Sequence, residues 1–271
     1  MEVYDIPGDT TVVDRTRVLP AITPTRRRQR RVRRHRRWLR RTLKLLLAIV
    51  VLAAGGFGAM YFFSPSVSSA PARVQAILAA HHAPSDGGIV PARVGDALLA
   101  TEDSRYYTGQ AVDPRGVARG TWGVISGDSS AGGATIEIQL AKMLYTPGRS
   151  DPFSVLEQVA LAFKLDQHFS KTQILAMYLD AAYFGDGAYG ITAAANHYFG
   201  VPADQLSWGQ ASLLAGLVQA PTSYDPHGHL TLALERRQHV LNRLVATGTL
   251  TRAEADQAAA APLNPVVPFS G

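Results

Sequence analysis

Hydrophobic and polar positions fall into three regimes along the chain. Residues 1 to 25 are polar, with Pro and Thr and no sustained apolar period, the pattern of a disordered segment. Residues 45 to 63 (LLLAIVVLAAGGFGAMYFF) are 19 consecutive uncharged, mostly apolar positions. As a helix they reach roughly 28 Å, close to the hydrocarbon thickness of a bilayer. From about residue 72 to 262 the apolar positions recur at helical spacing, with no useful strand alternation and no internal repeat.

Start and stop signals sharpen the helical reading. Capping boxes occur at Ser170 with Gln173, Ser207 with Gln210, and Thr251 with Glu254. Asp151-Pro152 opens a long apolar segment through Phe169, and Gly248 closes a segment running from about Leu230 to Thr247. The predicted organisation is a disordered Arg-rich tail (1–42), a transmembrane helix (43–63), a linker (64–84), an all-α domain (85–262) and a flexible C-terminus (263–271).

Composition and charge refine this picture. The chain has 271 residues, 46% of them hydrophobic, and no cysteine, which excludes a disulfide framework, a thiol nucleophile and a thiolate metal site. The net charge of +6 is unevenly placed. Residues 1 to 44 carry 14 Lys/Arg against 4 Asp/Glu, leaving the remainder at −4, so the basicity belongs to the tail and not to the domain. Eleven Arg between residues 26 and 41 hold that flank in the cytoplasm and put everything beyond residue 64 outside. Topology and attraction to anionic headgroups account for the Arg run, and no nucleic-acid partner is expected. A cleavable signal peptide ending near Ser68-Ser69-Ala70 is the competing reading; the apolar run is too long, starts too late and is followed by Pro71.

Few ionisable groups lie near apolar runs in the domain. Glu102 and Asp103 end an apolar helical turn beside Tyr106 and Tyr107, where a carboxylate can be partly desolvated, as a general base requires. A Glu that merely faces solvent at a helix end fits the same pattern. In GGATIEIQLAKMLYTPGR, Thr135, Gln139 and Lys142 share one helical stripe, which could present a hydroxyl, an amide and a cation to an anionic ligand, or could be a solvated face. PFSVLEQVALAFKLDQHF is apolar on most of its circumference and is expected to be central. Its polar exceptions, Ser154, Glu157, Gln158 and Lys164, must be paired or line a cleft.

The order Glu102-Asp103 … Asp113, GGATIEIQLAK, KTQILAMYLD, AYFGDGAYGITAAANHYFG, LLAGLVQAPTSYDP and ERRQHVL resembles the family 51 glycosyltransferases, the peptidoglycan polymerases. The likeness covers about residues 85 to 250, and with the chain ending at Gly271 it is closest to the monofunctional type. The resemblance implies a lysozyme-like, all-helical domain. It also implies that an acceptor sugar hydroxyl of lipid II attacks the anomeric carbon of a polyprenyl-diphosphate donor, with inversion. Glu102 takes the place of the general base, and Asp103, Asp113, Thr135, Gln139, Lys142, Arg149, Glu157, Gln158 and Lys164 are the expected substrate contacts. The cofactor is left open between a divalent Mg or Mn ion, with Glu102 and Glu157 as the candidates to hold it, and none. Lipid II, the growing glycan strand, the cytoplasmic membrane and other cell-wall synthesis proteins are the expected partners.

The motifs depart from the family pattern at defined positions. Tyr106, Gly109 and Ala111 replace the Phe, His and Gly of the first motif; Ala134, Glu137, Ile138 and Met143 replace Ser, Thr, Gln and Asn of the second. The third, R-K-x-x-E, becomes Ser154-Val155-Leu156-Glu157-Gln158, so the family's second glutamate is Gln158. Ala176 and Asp180 replace the Glu and Asn of the fourth. Two further readings therefore stay open: a catalytically impaired relative that binds lipid II or glycan as an accessory of wall synthesis, and a membrane adaptor acting through its Arg-rich tail.

Overall fold

The computed structural model describes residues 26–85, 87–109 and 134–269, with side chains from residue 38 onward. Among the described residues there are helices and short turns but no strand, in keeping with the all-α expectation; an isolated bridge joins Tyr183 and Tyr189. Two compact units divide at Gly55/Gly56, inside the first helix.

That helix, α1 (Arg26–Phe63), starts well before the expected span. Residues 26–42, expected to be disordered, are helical, because Arg is a strong helix former and the apolar helix that follows supplies the nucleus. Trp38–Phe63 is long and apolar enough to cross a membrane. Leu43, Leu45, Leu46, Leu47, Ile49, Val50, Val51 and Leu52 are each more than half exposed, so no protein core buries them.

The second unit holds α2 (Ala70–Ala80), α3 (Ala92–Glu102), α4 (Ile136–Tyr145), α5 (Pro152–His168), α6 (Lys171–Ala181), α7 (Ile191–Phe199), α8 (Trp208–Leu217), α9 (Leu230–Ala246) and α10 (Arg252–Ala260). The stretch 64–84 is more than a linker: α2 buries Ala70, Val74 and Leu78, an i, i+4, i+8 stripe, in the core. The C-terminal segment is likewise held, since the Val266 amide donates to the Tyr198 carbonyl at 2.9 Å and the Phe269 ring packs on Tyr198, Phe199 and His227.

The central helix is α8, in which every residue from Gly209 to Leu217 is buried. Burial of Leu213, Leu214 and Leu217 contributes about 1.5–3 kcal/mol each. The expectation that α5 is central does not hold. It buries Ser154, Gln158, Leu161 and Leu165 on one stripe, whereas Phe153 and Val155 are 63% and 43% exposed. Composition misled there, because α5 is apolar on both its core face and its outward face.

The caps fall where the sequence places them. The Ser170, Ser207 and Thr251 side chains accept from the N3 amides of α6, α8 and α10, each with a reciprocal side-chain bond that completes the box. Asp151 accepts from the Ser154 amide at the start of α5. Gly248, at φ 80°, follows the C-cap of α9 in the left-handed region that glycine adopts without strain.

Candidate active site

Glu102 is the last residue of α3, and its helix end is fixed from another element. Arg243 of α9 donates its Nε to the Ala100 carbonyl at 2.9 Å, satisfying one of the open carbonyls of the last turn. The Glu102 side chain is 16% exposed. Its Oε2 accepts from Gln139 Nε2 at 3.1 Å, and its Oε1 pairs with Arg236 Nη2 at 3.4 Å.

The Gln139 amide is oriented from its far side. Tyr178, fully buried on α6, donates its hydroxyl to Gln139 Oε1 at 2.8 Å, which turns the amide nitrogen toward Glu102. Burial, with the Glu102 charge adding to it, pushes the Tyr178 phenol well above its usual range, so it remains a donor at any working pH. Arg236 approaches because Gly216 of α8 has no side chain: a Cβ there would lie 2.9 Å from Arg236 Cγ. The result is a half-buried carboxylate with one amide and one guanidinium donor, each oxygen keeping further acceptor capacity.

The other expected residues divide into several groups. Thr135 is buried as the N-cap of α4, accepting from the Ile138 amide at 3.4 Å, and so does not share a ligand-facing stripe with Gln139. Its β-hydroxyl is worth more to the orphan amides of the helix start than to an external anion. Lys142, one turn beyond Gln139, is exposed. Asp103 lines a separate cleft of about 220 Å³ with Asp96, Tyr106 and Thr249. Asp113, with Gly132 and Gly133, lies outside the described residues.

Arg149 is occupied by Glu157 at 3.3 Å and Asp151 at 3.6 Å. Gln158 is 5% exposed and turned inward, its Nε2 donating to Thr146 Oγ1 at 2.8 Å, so it is not brought to the Glu102 cluster. The step of one residue places Glu157 and Gln158 on different sides of α5, as a rotation of about 100° requires. Lys164 is drawn elsewhere: its Nζ donates to the Ser64 carbonyl at 2.8 Å and sits over the Tyr61 ring, beside an open groove of about 490 Å³. Burial lowers its pKa.

Glu137, at the position of a family Thr, is completely buried and paired with Lys171, which also meets Asp166 at 2.9 Å. Burial pushes the Glu137 carboxyl up, and the Lys171 hydrogen bond offsets part of that. Burial opposes the Lys171 charge, but Glu137 and Asp166 outweigh it and hold the ammonium above its usual range.

A Mg or Mn ion does not fit the residues that were expected to hold it. Glu102 and Glu157 each stand as a single carboxylate already held by an arginine, and they share no group of three or more ligating side chains among the described residues. A hard cation needs several oxygens with little competing positive charge.

Sequence reasoning missed Arg236, which meets Glu102, as well as Tyr178, which turns Gln139 toward it, and Arg243, which holds the Ala100 carbonyl of its helix end. Tyr178 lies in KTQILAMYLD and the two arginines on the helix that contains ERRQHVL, but spacing along the chain cannot say which side chains meet. A Tyr inside an apolar helix does carry one signal, because its buried hydroxyl needs a partner.

These features define a helical domain in which the half-buried Glu102 carboxylate is set among donor side chains from three other helices, α4, α6 and α9. Comparison with known proteins then gives its family: the Transglycosylase model matches residues 73–245, and the chain belongs to that family. It is 37% identical over 177 residues to penicillin-binding protein 1A of Vibrio cholerae, an alignment covering 65% of this chain and 22% of that protein. It is 33% identical over 177 residues to a provisionally named transglycosylase of Cupriavidus necator, covering 65% of this chain and 77% of that one. The chain thus spans only about a fifth of the penicillin-binding relative. A crystal structure of penicillin-binding protein 1A from Haemophilus influenzae aligns with TM-score 0.41 at 23% identity, over 69% of this chain and 18% of that one.

Proposed function

We propose that this chain is a membrane-anchored peptidoglycan glycosyltransferase that polymerises lipid II into glycan strands with release of polyprenyl diphosphate. The observation that carries the reading is the Glu102 carboxylate, half-buried at a helix end and aimed by Gln139 and Arg236. Glu102 takes the proton of the acceptor sugar hydroxyl as that oxygen attacks the donor's anomeric carbon. The bond from that carbon to the diphosphate breaks, and its electron pair leaves with the diphosphate. Lys142, exposed one turn from Gln139, is the cation assigned here to the leaving group's charge. Arg149 is less available because Glu157 and Asp151 already engage it.

The Arg-rich flank before Trp38–Phe63 supports a single-pass arrangement in the bacterial cytoplasmic membrane, with the N-terminus inside and the domain outside. The substrates are then lipid II and the growing strand, with other wall-synthesis proteins as partners.

The test is lipid II polymerisation by the purified full-length chain, with Mg or Mn added and with EDTA. Glycan product in both conditions is expected, since the donor set favours side-chain cations; strictly metal-dependent turnover would overturn that part. A second reading, an impaired relative that binds lipid II or glycan as an accessory protein, is favoured by the inward-turned Gln158. Lipid II binding without product under either condition would establish it.

A further inference from the structure

A second cluster of chemistry-bearing side chains lies on other elements than the Glu102 network. Asp186 occupies the turn between α6 and α7, His197 stands on the last turn of α7, and His227 lies between α8 and α9. One ligand atom from each falls within 4.8 Å of the others. We propose that these three residues form a zinc-class divalent metal site that pins the three segments together outside the glycosyl-transfer centre.

The donors suit such an ion. Two imidazole nitrogens and one carboxylate oxygen form a borderline set that zinc and its neighbours prefer over Mg or Ca. Asp186 Oδ2 lies 2.7 Å from His197 Nε2 and 3.6 Å from His227 Nδ1. A tetrahedral ion with bonds of about 2.0–2.1 Å holds its donors about 3.3–3.4 Å apart, so the observed spacings bracket the required one. Asp225 Oδ1, 3.5 Å from the same His227 nitrogen, is the candidate for a fourth donor once an ion draws it in.

The scaffold around the donors is firm. Asp186, at φ 45°, sits between Gly185 and Gly187, also at positive φ, in a turn closed by the Ala188 amide on the Gly185 carbonyl at 2.8 Å. The His227 ring stacks on Tyr198 with a 16° interplanar angle and meets the Phe269 edge, and its own backbone amide donates to Asp225 at 3.0 Å. Asp186 and His197 are exposed, so an ion can reach the site and the side chains can move the few tenths of an ångström that it requires. A single Asp–His pair would explain 186 with 197 alone; convergence of a second imidazole from a distant segment is what a metal explains.

The experiment uses the full-length chain in detergent, without a polyhistidine tag, stripped with EDTA and titrated with Zn²⁺ against a chromophoric chelator. One Zn²⁺ per chain is expected, with a rise in unfolding temperature on loading. Loss of an outer partner of a metal ligand already costs about 10–100-fold in affinity, so His197→Ala and His227→Gln should each weaken binding at least about tenfold and abolish the thermal shift. His197 is exposed, so its variant decides the matter even if the His227 variant fails to fold. Failure to take up stoichiometric Zn²⁺, or unchanged affinity in His197→Ala, would overturn the proposal. Neither outcome bears on Glu102, which the site does not include.

Discussion

Replacing Gln158 by Glu restores the family's carboxylate on paper, and the structure predicts that it injures the protein instead. Gln158 is 5% exposed and spends its amide nitrogen on Thr146 Oγ1, itself inaccessible. A carboxylate there loses the donor and keeps only a neutral hydroxyl to offset a buried charge, at a cost of about 2–4 kcal/mol. At about 1.4 kcal/mol per unit, that raises the folded-state pKa by about 1.5–3 units over an unfolded value near 4.3. The sign follows: the folded state holds its proton more tightly, so the penalty is complete above the raised pKa and fades as pH falls. It shrinks to about 1 kcal/mol at pH 5. Thermal unfolding of the two proteins by circular dichroism should show a loss of roughly 4–16 °C at pH 8 and a much smaller one at pH 5. Polymerisation should not rise. A loss under about 1 °C at both pH values, or a gain in turnover, would place the side chain in the cleft and refute the assignment.

Arg236→Gln removes a charged hydrogen bond to Glu102 worth about 1.5–3 kcal/mol, so polymerisation should fall about 10–150-fold with helicity retained. Gly216→Ala should lower it in the same direction by displacing Arg236, and unchanged rates in both would remove Arg236 from the site. Lys171→Met leaves the buried Glu137 carboxylate without its cation and should cost about 3–5 kcal/mol near neutral pH. Glu137's folded-state pKa is already raised, so the loss should fade on acidification and be largely rescued by adding Glu137→Gln; a pH-independent loss would contradict it. In intact spheroplasts, external protease should reach the domain and spare residues 26–37, and digestion of that stretch alone would reverse the topology.

Much of this molecule was legible in its sequence, and the boundary is physical. Helix starts depend on side chains three residues apart, so the boxes at Ser170, Ser207 and Thr251 could be read directly. The apolar span and the basicity of its flank are local as well. What could not be read depends on which faces meet: that α8 and not α5 is central, that Thr135 serves its own helix, and that Gln158 turns to Thr146. Glu102 could be singled out from the chain, but Arg236, which meets it, and Tyr178, which turns Gln139 toward it, lie 134 and 76 positions further on, a separation that only the fold closes.

The central claim is that Glu102 is the base of a glycosyl transfer. Its most direct measurement is lipid II polymerisation by Glu102→Gln beside the unaltered chain, with circular dichroism confirming equal helicity. The amide keeps the shape and can still face Arg236, but it cannot take a proton. General-base catalysis is typically worth about 10²–10⁴, so the rate should drop at least about a hundredfold. A variant that turns over lipid II within a few-fold of the unaltered chain would contradict the account.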